Sequence, residues 1–198
     1  MRDLDIPGAT ISMATDFIPP AERETILSAL TRDIEWEQRD VVVHGRTFKQ
    51  PRLVGWYGTG AYTYSGMRLE PKQLTPLLED LQRRVEEATG QSFNSVLLNR
   101  YLAGRNHGIG MHSDNEPELG EDPVIAMLTF GEGRSLAFEP KPWFAERQRS
   151  TTRFSAPTPA GSLLVMAGQT QRNWKHGVPK AIGKRDRITL TFRTIIAS

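Results

Sequence analysis

Near the C-terminus, Arg187-Ile188-Thr189-Leu190-Thr191-Phe192-Arg193 alternates polar and apolar without a break. Successive side chains on a β-strand point to opposite faces. Arg187, Thr189, Thr191 and Arg193 therefore share one face, and Ile188, Leu190 and Phe192 take the other. Two arginines on a strand with an apolar back are costly to bury unless an anion meets them. Guanidinium grips carboxylate in a two-pronged fork, so a dicarboxylate is the fitting partner. The alternative is an arginine pair on an exposed edge strand.

The rest of the chain suits such a strand. From Phe93 onward it reads as short β-runs and turns: Val96 to Tyr101, a strand ending at His112, Pro123 to Phe130, Ser135 to Phe138, Arg153 to Ala156, Gly161 to Met166, Trp174 to Val178 and Ile188 to Ile195. Gly104 to Gly108 is a loop, and Lys141 to Arg153 is a loop rich in Arg and Trp. Before these lie a strand at about Gly8 to Met13 and a helix after Pro19-Pro20, with Ile26, Leu27 and Leu30 as its apolar stripe. Residues 33 to 57 read as extended. Val41-Val42-Val43, the His44-Gly45 turn and Thr47-Phe48 make a hairpin whose tip is either a surface loop or a wedge that enters a duplex. Pro71 opens a helix to about Thr89, closed by Gly90, with Leu74, Leu77, Leu78, Leu81, Val85 and Ala88 on one stripe. Many short strands after two early helices indicate a β-sandwich or jelly roll, mainly β with flanking helices.

Gly110-Met111-His112-Ser113-Asp114 offers an imidazole and a carboxylate on one face of an extended segment, and Trp174-Lys175-His176 supplies a second imidazole. His112, Asp114 and His176 would make the two-His, one-carboxylate set that suits ferrous iron and leaves coordination positions open. There are no cysteines, so disulfides and thiolate metal sites are excluded. At 198 residues a single domain is expected, with residues 1–90 as an extension and lid and 91–198 as the core. Nothing at the N-terminus reads as a signal peptide and no apolar run is long enough to span a membrane, so an intracellular monomer is expected. Net charge is +2 and the isoelectric point is near 9.0, which permits nucleic acid without requiring it. Trp56, Tyr57, Tyr62 and Tyr64 are dense for a chain with 8% aromatics. They are either a core or rim cluster or a platform on which bases stack.

Pro51-Arg52-Leu53, Trp56-Tyr57-Gly58, Tyr62-Thr63-Tyr64-Ser65-Gly66, Asn99-Arg100-Tyr101, His112 through Gly120, Gly161 through Met166, Trp174-Lys175-His176 and Arg187 through Arg193 stand in an order that resembles the AlkB family of Fe(II)- and 2-oxoglutarate-dependent dioxygenases. The resemblance is strongest to the branch of nucleic-acid repair homologues. It implies a double-stranded β-helix holding Fe(II) on His112, Asp114 and His176. It implies 2-oxoglutarate chelating that iron, its distal carboxylate on Arg187 with help from Asn99 and Tyr101, and its C1 end near Arg193, which would also fix Asp114. Thr189 stands where the family commonly has Asn, and Met111 where relatives often have Trp. The implied reaction couples O2 and 2-oxoglutarate decarboxylation to hydroxylation of an N-methyl group on a flipped base, 1-methyladenine or 3-methylcytosine, with release of formaldehyde.

Under that resemblance Tyr64, with Tyr62 and Ser65, would form a lid over the flipped ring. Glu116 would stand beside the cationic base. Arg52, Arg134 and the 141–153 loop would meet phosphates. Alternatives are a 2-oxoglutarate oxygenase of modified tRNA, protein or small molecules, and a silent jelly roll that binds nucleic acid.

Overall fold

A computed structural model describes the backbone of residues 1–43, 46–59, 62–64, 67–69 and 71–196. Its strands are β1 (Arg2–Asp3), β2 (Thr10–Ala14), β3 (Asp40–Val43), β4 (Arg46–Lys49), β5 (Leu53–Gly58), β6 (Tyr62–Tyr64), β7 (Met67–Leu69) and β8 (Ser95–Tyr101). They continue as β9 (Asn106–His112), β10 (Ile125–Gly131), β11 (Arg134–Pro140), β12 (Phe154–Thr158), β13 (Leu163–Ala167), β14 (Trp174–Ile182) and β15 (Arg187–Arg193). The helices are α1 (Pro20–Asp33), α2 (Pro76–Thr89), α3 (Pro142–Gln148) and α4 (Thr170–Asn173).

Two antiparallel sheets form the jelly roll, a seven-stranded one ordered β1-β2-β13-β10-β15-β8-β5 and a four-stranded one ordered β12-β11-β14-β9. The alternation in β15 decides how they stack. Ile188, Leu190 and Phe192 pack with Ala126, Leu128 and Phe130 of β10 and Val96 and Leu98 of β8 against α1 and α2, through Ile26, Leu30, Leu78, Leu81 and Val85. The opposite faces of the same strands look toward the smaller sheet. There Ile125 and Met127 meet Leu136, Phe138, Trp174 and Val178. The arginine-bearing face of β15 is thus turned inward, and all seven of its residues are buried. The exposed-edge alternative is excluded: β15 lies between β10 and β8.

Several expectations need correction. The second long helix begins at Pro76, not Pro71. Thr75 caps it by accepting a hydrogen bond from the Leu78 N–H at 3.3 Å, and Gly90 ends it in the left-handed region at φ 66°. The segment after Pro71 is held extended because the Lys72 N–H donates to the Trp56 carbonyl at 3.1 Å and the Lys72 carbonyl accepts from the Gly58 N–H at 2.8 Å. The stretch from Lys141 to Arg153 is not all loop: it contains α3, which buries Phe144 edge-on against Trp174, ring centroids 5.8 Å apart. The one-turn α4 was not expected at all.

The β3–β4 hairpin is present, with Val41 opposite Phe48. Its His44-Gly45 tip, Ser65 and Gly66, and the side chains of Tyr62 and Tyr64 lie outside the described residues. Among the described residues no helix is long and apolar enough to cross a membrane.

Candidate metal centre

Strands β9 and β14 are hydrogen-bonded neighbours, and His112 faces His176 directly across them. Their ring centroids are 4.4 Å apart. The Nδ1 of His112 lies 2.9 Å from the Gly110 carbonyl. A carbonyl only accepts, so Nδ1 carries the proton and Nε2 is the unprotonated nitrogen, the form that ligates a metal. Asp114 lies just past the end of β9, in an irregular stretch, with its side chain fully buried. Its Oδ1 accepts from the Arg193 guanidinium at 2.7 Å. Its Oδ2 has no hydrogen-bond partner among the described residues and lies 3.7 Å from His176 Nε2.

The electrostatics prepare these groups as ligands. Burial alone would raise the Asp114 carboxyl, but the Arg193 guanidinium and the two imidazoles hold it at about 2. Burial pushes His176 down to about 3, and His112 adds to that effect. Near neutral pH the site therefore presents an ionised carboxylate and a neutral imidazole, the forms in which each binds a metal. One ligand atom from each of His112, Asp114 and His176 falls within 4.8 Å of the others. A buried carboxylate oxygen without a partner is what a divalent cation would satisfy. The residues fit ferrous iron, and the three sequence candidates converge as expected.

A narrow cavity opens beside the triad. Asn99, Tyr101, Thr189, Thr191 and Arg193 join the imidazoles on its wall, with Leu97, Ile109, Met127, Leu136 and Val178 as its apolar part. Arg187 is not on that wall. It is paired in register with Tyr101, is 1% exposed, and donates to the Thr158 hydroxyl and carbonyl at 2.8 and 3.1 Å and to the Glu132 carbonyl at 3.2 Å. No carboxylate pairs with it among the described residues, and burial pushes it down to about 10. Thr158, which the sequence did not single out, is the main acceptor of the buried Arg187 guanidinium.

The expected phosphate contacts fare differently. Arg52 is buried, and its Nε donates to Asn99 Oδ1 at 2.7 Å. It is turned inward, where it occupies the amide oxygen of Asn99, a residue of the cavity wall. On the co-substrate binding that the resemblance implies, Arg52→Ala is expected to raise the half-saturating 2-oxoglutarate concentration roughly tenfold, the scale of one charge-assisted hydrogen bond. Steady-state kinetics with 2-oxoglutarate as the varied substrate would check it. Arg134 is likewise committed, to the carbonyls of His107 and Pro179 and over the Tyr101 ring at 5.5 Å. Arg153 is exposed and pairs with Glu139. Glu116 is half-buried just before a one-turn 3-10 helix (Pro117–Leu119), and its Oε2 is buried without a partner among the described residues. It is not on the wall of the cavity.

Gln171 is a contact of the triad that sequence reading missed. Its side-chain oxygen accepts the Asp114 N–H at 2.9 Å. No periodicity or motif flags a glutamine in a one-turn helix.

Residues 10–193 match the model of the 2OG-Fe(II) oxygenase superfamily. The chain is 42% identical over 183 residues to human "Alpha-ketoglutarate-dependent dioxygenase alkB homolog 3", covering 90% of this chain and 64% of that protein. It is 40% identical over 185 residues to the mouse "DNA oxidative demethylase ALKBH2", covering 89% of this chain and 76% of that one. Among solved structures, "The structure of OsALKBH1" superposes with a TM-score of 0.65 at 14% identity, covering 96% of this chain, a likeness of fold. The double-stranded β-helix, the converging triad and these similarities place the chain in the 2OG-Fe(II) oxygenase superfamily, as a member of its AlkB family.

Proposed function

We propose that the chain removes methyl groups from alkylated nucleobases, 1-methyladenine and 3-methylcytosine, in DNA or RNA. The observation that carries this is the convergence of His112, Asp114 and His176 beside a cavity walled by Asn99, Tyr101 and Thr189. The names of the relatives, a dioxygenase and a DNA oxidative demethylase, supply the substrate class. The chain spans 64% of the length of the human homolog 3 protein.

Ferrous iron, when bound with 2-oxoglutarate and O2, supplies the oxidising power for methyl hydroxylation. The protein does the placing. Arg193 holds one oxygen of Asp114 and leaves the other for the metal. The amide of Asn99 and the hydroxyls of Tyr101 and Thr189 receive the keto-diacid, while Arg187, paired with Tyr101 across β8 and β15 and set back from the cavity wall, supplies the charge that draws its distal carboxylate. Leu97, Ile109, Met127, Leu136 and Val178 exclude water from the reacting end. The hydroxymethyl product on a ring nitrogen is a hemiaminal, which expels formaldehyde and restores the base. The methylated rings are cations, so the carboxylate of Glu116 favours them over neutral bases.

The test is formaldehyde release from methylated single- and double-stranded DNA and RNA oligonucleotides with iron, 2-oxoglutarate and air. Release from none of them would sink the assignment. Glu116→Ala is expected to lower turnover of methylated bases by roughly tenfold or more, the loss of one charge-assisted contact, while substrate-free decarboxylation of 2-oxoglutarate falls less. Equal losses would remove Glu116 as a base contact.

A further inference from the structure

The carboxylate ligand is held by more than its own side chain. Asp114 belongs to no strand, and its neighbours 113–116 form no regular hydrogen-bond ladder. Its N–H is instead received by Gln171 Oε1 at 2.9 Å, in a contact the solvent does not reach. An N–H only donates, so the amide oxygen must face Asp114. The amide nitrogen turns the other way and donates to Met166 Sδ at 3.6 Å. Gln171 is 1% exposed, so water does not compete with either contact.

The platform under Gln171 is rigid. Its helix α4 leads directly into β14, the strand of His176. The Thr170 hydroxyl donates to the Ala167 carbonyl at 2.6 Å and accepts from Thr10 N–H at 2.9 Å. Asn173 Nδ2 donates to the Gly8 carbonyl at 2.6 Å, and Trp174 Nε1 to the Pro7 carbonyl at 3.0 Å. A four-residue helix has too little of its own hydrogen bonding to stand alone. These four bonds to its surroundings fix where it sits.

We propose that Gln171 is a positioning residue that ties the backbone of Asp114 to the segment carrying His176, so that the carboxylate and imidazole stand at binding distance before a metal arrives. Arg193 fixes the Asp114 side chain from one direction; Gln171 fixes its backbone from the other. The inference rests on the reading that His112, Asp114 and His176 hold the metal ion, and it assigns a cause for their spacing. Partners that orient metal ligands typically contribute 10- to 100-fold to metal affinity.

The test is Co(II) titration of the metal-free full chain, read by visible absorption and calorimetry. Gln171→Met, of similar size but without the acceptor, is expected to raise the Co(II) Kd roughly 10- to 100-fold. Gln171→Glu, which keeps an oxygen in the same place, is expected to recover most of that loss. A Gln171→Met Kd within about threefold of wild type, below the range for such partners, overturns the proposal whatever happens to its thermal midpoint. Equal weakening in both variants also overturns it.

A second measurement needs no variant. In the metal-free wild type the Asp114 amide is expected to be protected against hydrogen exchange. Exchange at the rate of an unstructured chain means there is no clamp. His112→Ala keeps the two ideas apart. If wild type and His112→Ala bind Co(II) alike, the metal reading itself fails and the proposal falls with it. If only wild type binds and Gln171→Met matches it, the clamp alone fails.

Discussion

Arg187→Met raises the half-saturating concentration of 2-oxoglutarate by roughly 100-fold or more, while the thermal midpoint measured without 2-oxoglutarate moves by only a few degrees. The first half follows from what a buried guanidinium does for a carboxylate. Truncating one partner of a buried, hydrogen-bonded charge pair costs about 2 to 5 kcal/mol, and each 1.4 kcal/mol is a factor of about ten. The second half follows from how Arg187 stands in the protein. It has no carboxylate partner among the described residues, and burial pushes its pKa from 12.5 to about 10. At neutral pH that shift corresponds to a burden on folding on the order of 3 kcal/mol. Methionine removes that burden but also the hydrogen bonds to Thr158 and Glu132, so the gain and the loss largely offset. Binding measured by calorimetry and unfolding followed by circular dichroism separate the effects. A midpoint drop beyond ten degrees with unchanged 2-oxoglutarate binding would make Arg187 a structural residue only. Added 2-oxoglutarate should also raise the wild-type midpoint and leave that of Arg187→Met nearly unmoved.

The parts of this centre that the sequence disclosed are the parts governed by local period. In β15 the alternation alone separated the face that packs on the helices from the face that lines the cavity. The same rule put Asn99 and Tyr101 together on β8. His112 and Asp114 converged as an extended segment requires, although β9 ends at His112 and Asp114 sits in the following loop. What stayed hidden was set by distant partners. Pro71 and Pro76 are both acceptable at a helix start. The choice falls to Pro76 because Lys72 pairs with a strand far earlier in the chain. The helices α3 and α4 are too short for a period to register, and each owes its place to a tertiary contact, Phe144 on Trp174 and Asn173 on Gly8. Arg52 reads as surface charge because arginine is usually exposed. Its partner Asn99 is 47 residues away, and only the β5–β8 pairing brings them together.

Arg193 is where loss of one side chain does the most harm to the fold and to metal binding together. Its guanidinium is the close partner of a carboxylate buried without access to water. Breaking such a pair by removing one member costs about 3 to 5 kcal/mol, because the remaining charge is stranded. Arg193→Met is therefore expected to lower stability at pH 7 by that amount. It should also raise the Kd for Co(II), since the stranded carboxylate resists ionisation. The pH dependence identifies the cause. In the wild type the Asp114 pKa is depressed from 3.8 to about 2. A depressed carboxyl stabilises the fold above its unfolded value, and that contribution, about 2 kcal/mol, is lost as pH falls from roughly 4 to 2. In Arg193→Met the burial contribution is no longer outweighed, so the folded-state pKa of Asp114 shifts upward. A raised carboxyl destabilises the fold at neutral pH and ceases to do so once it is protonated. The stability gap between wild type and variant should therefore narrow steadily on acidification below neutrality. Urea unfolding of both metal-free proteins between pH 7 and pH 4 measures that gap directly. Asp114→Asn placed on top of Arg193→Met should recover much of the lost stability, because a neutral amide in the same cavity strands no charge. A gap that stays constant with pH, together with a double variant no more stable than Arg193→Met, would show that Arg193 acts through packing and not through the charge of Asp114.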